Sequence, residues 1–147
     1  MLCVVAAIAF MGFVAPHLVH IKLFPIPATA LIIGTALMIA GLVLRVWSVL
    51  TLGRFFRSTV TIQESHLVIQ HGVYKYIRHP SYLGVLILVT GLGIASNSLF
   101  SLVGTDLIIF VGMQYRIAVE EQVLSSELGR DYQAYISRTK RLIPFFY

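Results

Sequence analysis

Apolar residues fill four stretches of the chain, and the polar positions between them mark where each stretch stops. The first, from about Leu2 to Phe24, is interrupted by Pro16 and closes at Pro25-Ile26-Pro27. Proline lacks a backbone donor and clashes with the preceding turn, so this span ends either at Pro16 or near Phe24. The second, ATALIIGTALMIAGLVLRVWSVL from Ala28 to Leu50, is apolar on every side apart from Arg45, and its Gly34 and Gly41 are small enough for close helix packing. A third runs from about Ser81 to Ser96, a turn follows at Asn97 and Ser98, and a fourth begins at Leu99, which predicts a tight helical hairpin. Each run approaches the ~20 apolar residues that a helix needs to cross a bilayer.

The fourth helix is expected to outlast the membrane. IFVGMQYRIAVEEQVLSSELG keeps helical spacing past Tyr115 as far as Gly129, a glycine placed as a C-terminal cap. A last amphipathic helix is expected from about Asp131 to Lys140, and the apolar tail LIPFFY is expected to fold back against the membrane surface. By contrast, Thr51 to Arg78 mixes β-branched, aromatic and basic residues without a helical period and breaks at Gly53 and Gly72. Long connections of this kind often carry function.

Composition agrees with the pattern. With 58% hydrophobic residues, 12% charged residues and a mean hydropathy of +0.87, the chain falls outside the soluble range. The predicted fold is an all-α integral membrane protein, one domain over 1–147, with about four transmembrane helices (2–24, 28–50, 81–96, 99–117) and a C-terminal helical extension. No Lys or Arg precedes the first apolar run, so it reads as a membrane helix rather than a signal peptide. The single Cys3 excludes an internal disulfide.

The net charge of +5 reports topology rather than nucleic-acid binding, because the basic residues form no stripe on a soluble domain. Arg54, Arg57, Lys75 and Arg78 lie in the long connection, and Arg116, Arg130, Arg138, Lys140 and Arg141 follow the fourth span. An even number of crossings puts both groups on one side, so segments 51–80 and 116–147 and both termini are expected in the cytoplasm. Arg45 is expected to snorkel to that surface.

Two polar clusters meet at this face. In YIRHPSYLG, from Tyr76 to Gly84, Pro80 suits the first helical turn and holds His79 extended. His79 and Tyr82, three apart, share the face above the helix N-terminus, whose N–H groups suit an anion. Arg78 and Tyr76 read as interfacial anchors. On the fourth helix Arg116 and Glu120 are i and i+4, in the order less favourable to helix stability, so an arginine that grips a carboxylate and a glutamate that receives an ammonium is the stronger reading. Glu121 is expected to point away and be solvated. Asp106, inside the fourth span, is read as a packing contact with Thr35 or Thr90 rather than a functional acid. His17 and His20 lie on the opposite side, and no group has metal-ligand spacing.

These residues resemble the isoprenylcysteine carboxyl methyltransferase family. The match rests on Gln63, HLVIQHGVYKYIRHPSYLG from His66 to Gly84, RIAVEEQVL from Arg116 to Leu124, LGRDYQAY from Leu128 to Tyr135, and RLIP ending at Pro144, about two-thirds of the chain. The resemblance implies an integral membrane enzyme that moves a methyl group from S-adenosylmethionine, leaving S-adenosylhomocysteine, to a carboxylate on a lipidated cysteine entering from the bilayer. It implies cofactor contacts from Gln63, His66, Leu67, Val68, Ile69, Tyr74, His79, Pro80, Ser81, Tyr82 and Glu120, with Arg116 facing the substrate carboxylate. The eukaryotic members carry further N-terminal membrane helices, and their spacing after the residue matching Gln63 is longer. Two other readings stay open: a phospholipid N-methyltransferase, and a non-catalytic membrane protein of the same fold. Membrane lipids are expected partners, and Gly34 and Gly41 serve either the monomer's own packing or a dimer.

Overall fold

The structure is a computed structural model that describes residues 22–53 and 68–143. The first predicted span, up to residue 21, and the tail from Pro144 lie outside the described residues. Within them the chain is all-helical, with no strand: α1 is Pro27–Leu52, a 3-10 turn covers Gly72–Lys75, α2 is Pro80–Ala95 and α3 is Leu99–Arg138. Proline occupies the first turn of both α1 and α2, where a missing N–H costs nothing. The Ser98 hydroxyl caps α3 by accepting from the Ser101 N–H at 3.3 Å.

Helices α1 and α3 are long and apolar enough to cross a membrane. α2 has 16 residues, which at ~1.5 Å each is shorter than a bilayer core of about 30 Å. Gly129 has φ +51, a left-handed break inside α3 where the sequence predicts a cap. The helix then resumes and ends at Arg138, short of the expected Lys140. Lys140 is taken instead into a parallel bridge with Ile77: its N–H donates to the Tyr76 carbonyl at 3.2 Å, and its carbonyl accepts from Arg78 at 2.8 Å.

Small residues set the spacing of α1 and α2. The buried positions of α1 are Ala30, Gly34, Gly41 and Ser48, one narrow stripe with no large side chain. Gly34 meets Gly91 and Ala95, and Gly41 meets Gly84 and Leu88, so closely that a Cβ on Gly41 would stand 2.5 Å from the Gly84 carbonyl oxygen. The glycines thus bring backbone onto backbone within this chain, as the sequence suggests for Gly34 and Gly41. The remaining faces of α1 turn outward with Ile32 at 70% and Leu50 at 73% exposure. A contiguous apolar surface of this kind is costly in water and suits lipid.

The hairpin between α2 and α3 turns at Asn97, whose φ is +53. Its side chain clamps the segment entering α1, accepting from the Phe24 N–H at 2.9 Å and donating to the Phe24 carbonyl at 3.1 Å. Thr90 donates to Asp106 at 3.1 Å, which makes Asp106 the packing contact expected of it. Deeper, Ile109, Met113, Ile117 and Leu142 form the core, with Tyr82, Leu83 and Val85 packed against it. Leu142, from the segment after α3, is fully buried there, so the C-terminal residues return across the end of the bundle.

Candidate active site

The site forms where the N-terminus of α2 meets α3 just beyond its apolar stretch. His79 caps α2 at φ −123 and ψ 56, outside the helical region but less extended than the proline rule predicts. The reason is that its carbonyl already accepts from Tyr82 and Leu83 at 3.1 and 3.2 Å, while its N–H donates to Arg141 at 3.1 Å. As the spacing predicts, His79 and Tyr82 share a face, with ring centroids 5.7 Å apart.

Both rings face Glu120. The Tyr82 hydroxyl donates a short hydrogen bond to Glu120 Oε1, and Arg116 Nη2 reaches the same oxygen at 3.3 Å. His79 Nδ1 lies 3.9 Å from Glu120 Oε2. Arg116 is half exposed, with 48% of its side chain accessible, and Glu120 retains 22%. An ion pair so open to solvent contributes little to stability, about 0–1 kcal/mol, and either member is accessible to a ligand.

Glu121 is not solvated, against the expectation from the sequence: it is buried and fully engaged. Arg78 Nε donates to its Oε1 at 2.8 Å, Arg141 donates to its Oε2 from Nε at 3.0 Å and from Nη2 at 2.6 Å, and His79 Nε2 lies 3.3 Å from Oε1. Nor is Arg78 a lipid anchor. Its guanidinium is buried and also donates to the Thr139 and Ile136 carbonyls at 2.6 and 3.4 Å, tying the C-terminal segment to the start of α2. Tyr76 beside it is exposed, as an anchor requires.

Burial alone raises the Glu121 carboxyl, but the hydrogen bonds from His79, Arg141 and Arg78 outweigh it and hold the group at about 2, against an ordinary 4.5. A depressed folded value means that the stabilisation is complete above 4.5 and is lost as pH falls from there towards about 2. Melting of the detergent-solubilised protein should therefore soften over that acid window, and Glu121→Gln should lose this part of the slope. An identical slope in the variant contradicts the assignment.

The other predicted site residues fall in four groups. Gln63, His66 and Leu67 lie outside the described residues. Val68 and Ile69 are partly buried on the strip that enters the 3-10 turn. Tyr74 is buried in that turn; its hydroxyl donates to the Ser48 carbonyl at 3.4 Å, and its own carbonyl accepts from the Tyr135 hydroxyl at 2.7 Å. Burial, with the nearby charge of Glu120, pushes the Tyr74 phenol up to about 12. Pro80 and Ser81 are buried beside His79.

Two contributors escape the sequence. Arg45 does not simply snorkel outward, because its Nη1 donates to Ser81 Oγ at 3.3 Å, bringing α1 into the cluster. Tyr132 is buried with a hydroxyl that has no hydrogen-bond partner among the described residues. Burial raises its phenol, and the Glu121 charge raises it further. Its sequence signal is weak, one aromatic on a helix already expected to be amphipathic.

Residues 30–126 match the isoprenylcysteine carboxyl methyltransferase family. A probable protein-S-isoprenylcysteine O-methyltransferase from Oryza sativa subsp. indica is 34% identical over 115 residues, 77% of this chain and 60% of that protein. The protein-S-isoprenylcysteine O-methyltransferase of Tribolium castaneum is likewise 34% identical, over 77% of this chain and 41% of its own length. A solved structure of the eukaryotic intramembrane Ras methyltransferase superposes with a TM-score of 0.75 at 29% identity, covering 98% of this chain and 51% of that one. The chain therefore spans between about two-fifths and three-fifths of the length of these relatives.

Proposed function

We propose, since the chain belongs to the isoprenylcysteine carboxyl methyltransferase family, that it moves a methyl group from S-adenosylmethionine to the carboxylate of a lipid-modified acceptor at the cytoplasmic membrane face. The observation that carries this reading is the meeting of a half-exposed Arg116 with Glu120, Tyr82 and His79 where α3 leaves its apolar stretch. A polar cofactor arrives there from water, and a lipid-borne acceptor arrives along the apolar faces of α1 and α3.

The residues suit that cofactor. Its amino-acid end carries an ammonium, for which Glu120 and His79 offer acceptors, and a carboxylate, for which the Tyr132 hydroxyl, without a partner among the described residues, offers a donor. By resemblance Gln63, His66 to Ile69, Tyr74 and Pro80 to Tyr82 complete the enclosure. Bound S-adenosylmethionine supplies a methyl group already activated as a sulfonium.

The protein's own part is placement. An α-carboxylate with a pKa of ~3.5 is ionised near neutral pH, so no general base is needed. Arg116 exchanges Glu120 for the acceptor carboxylate and aims it, while the apolar surroundings exclude water. Losing this charge-assisted contact, worth about 1.5–3 kcal/mol, should lower turnover of Arg116→Ala by roughly 10–100-fold. S-adenosylhomocysteine affinity should change far less. The reverse pattern would move Arg116 to the cofactor side. Isothermal titration of S-adenosylhomocysteine into the detergent-solubilised protein tests the cofactor directly, and no heat of binding at millimolar ligand would contradict it.

A further inference from the structure

Two glutamates stand side by side on α3 and meet the same histidine from different directions. Glu120 looks onto the accessible side of the site; Glu121 is buried behind it. His79 lies between them, with Nε2 3.3 Å from Glu121 and Nδ1 3.9 Å from Glu120. The first distance is within hydrogen-bond range and the second is beyond it.

We propose that Glu121 is the positioning residue of this site: it fixes His79 as the Nε2–H tautomer and so presents the Nδ1 lone pair, beside Glu120, as a paired acceptor for a ligand ammonium. An ionised carboxylate can only accept, so the imidazole nitrogen facing it must carry the hydrogen. In a neutral imidazole the other nitrogen is then an acceptor.

Glu121 is itself held rigidly. Arg78 grips one oxygen and Arg141 the other, and both arginines belong to the paired segments that close the end of the bundle. The chain after α3 therefore acts on the site at one remove, through Glu121 and then the ring of His79. That the ammonium belongs to S-adenosylmethionine rests on the function proposed above; the tautomer does not.

Long-range nitrogen–proton correlation on detergent-solubilised protein labelled with 15N-histidine tests this, with the His79 signals identified by their loss in His79→Gln. Without ligand, Nε2 should appear protonated and Nδ1 bare, and the Nδ1 resonance should shift when S-adenosylhomocysteine is added. A protonated Nδ1 overturns the proposal. E121Q should mix the tautomers and weaken S-adenosylhomocysteine binding about tenfold, the scale of one hydrogen bond to a charged group. A folded E121Q with wild-type affinity and an unmixed Nε2–H tautomer also overturns it. Should E121Q not fold, the wild-type tautomer decides. A wild-type protein that shows the Nε2–H tautomer but binds no S-adenosylhomocysteine leaves the positioning intact and contradicts the cofactor instead.

Discussion

A Gly84→Leu chain should lose its cooperative melting transition in detergent, and its binding of S-adenosylhomocysteine with it. A Cβ at Gly84 would lie 2.7 Å from the Gly41 carbonyl oxygen and 2.8 Å from the Arg45 amide nitrogen, both backbone atoms of α1. Backbone cannot rotate away as a side chain does, so the helices must part along their length. Even modest overpacking costs about 1–3 kcal/mol, and leucine adds three further carbons at a seam that has no slack. Parting the helices also breaks the contact of Arg45 with Ser81, which joins α1 to the site. Gly84→Ala should show the same effect in milder form. Leu50→Ala, at a position 73% exposed on the outer face of α1, is the control and should melt like the parent. Equal melting of Gly84→Leu and the parent would contradict this packing.

Glu121→Ala should destabilise the protein by about 3–5 kcal/mol, the cost of removing one member of a buried ion network. The substitution leaves Arg78, whose side chain is only 9% exposed, without its carboxylate, together with the less buried Arg141. The neighbouring pair provides the contrast. Arg116→Ala breaks an ion pair too, but one that is half exposed, so its melting point should stay close to the parent's while its turnover falls. The two ion networks on this helix thus differ in their main signature, that of Glu121 read first in stability and that of Arg116 in activity. Melting curves of both variants in the same detergent check this, and equal shifts would contradict the assigned burial.

Helix ends were readable because proline, glycine and asparagine punctuate long apolar runs. The second stretch, expected over 28–50, is Pro27–Leu52, and the break at Gly129 falls where the pattern stops. The sharing of one face by Arg116 and Glu120, and by His79 and Tyr82, follows from helical spacing alone. The inner shell was not readable in this way. Arg78, Glu121 and Arg141 come together only because the segment after α3 returns to pair with residues 76–79, and no local period records that return. The contact of Arg45 with Ser81 was missed for a related reason, since an isolated cation in an apolar run has snorkelling as its default. One signal was available and unused: Gly84 and Gly91 repeat the spacing of Gly34 and Gly41, which already pairs α2 with α1.

Carboxyl methylation is the reaction proposed for the Arg116, Glu120, Tyr82 and His79 site. Incubating the membrane-reconstituted protein with methyl-labelled S-adenosylmethionine and a farnesylated cysteine bearing a free carboxylate measures it directly. Label should appear in a base-labile methyl ester, released as volatile methanol, and be lost in Arg116→Ala. Label found in an amino-lipid, or no transfer by a protein that binds S-adenosylhomocysteine, would contradict it.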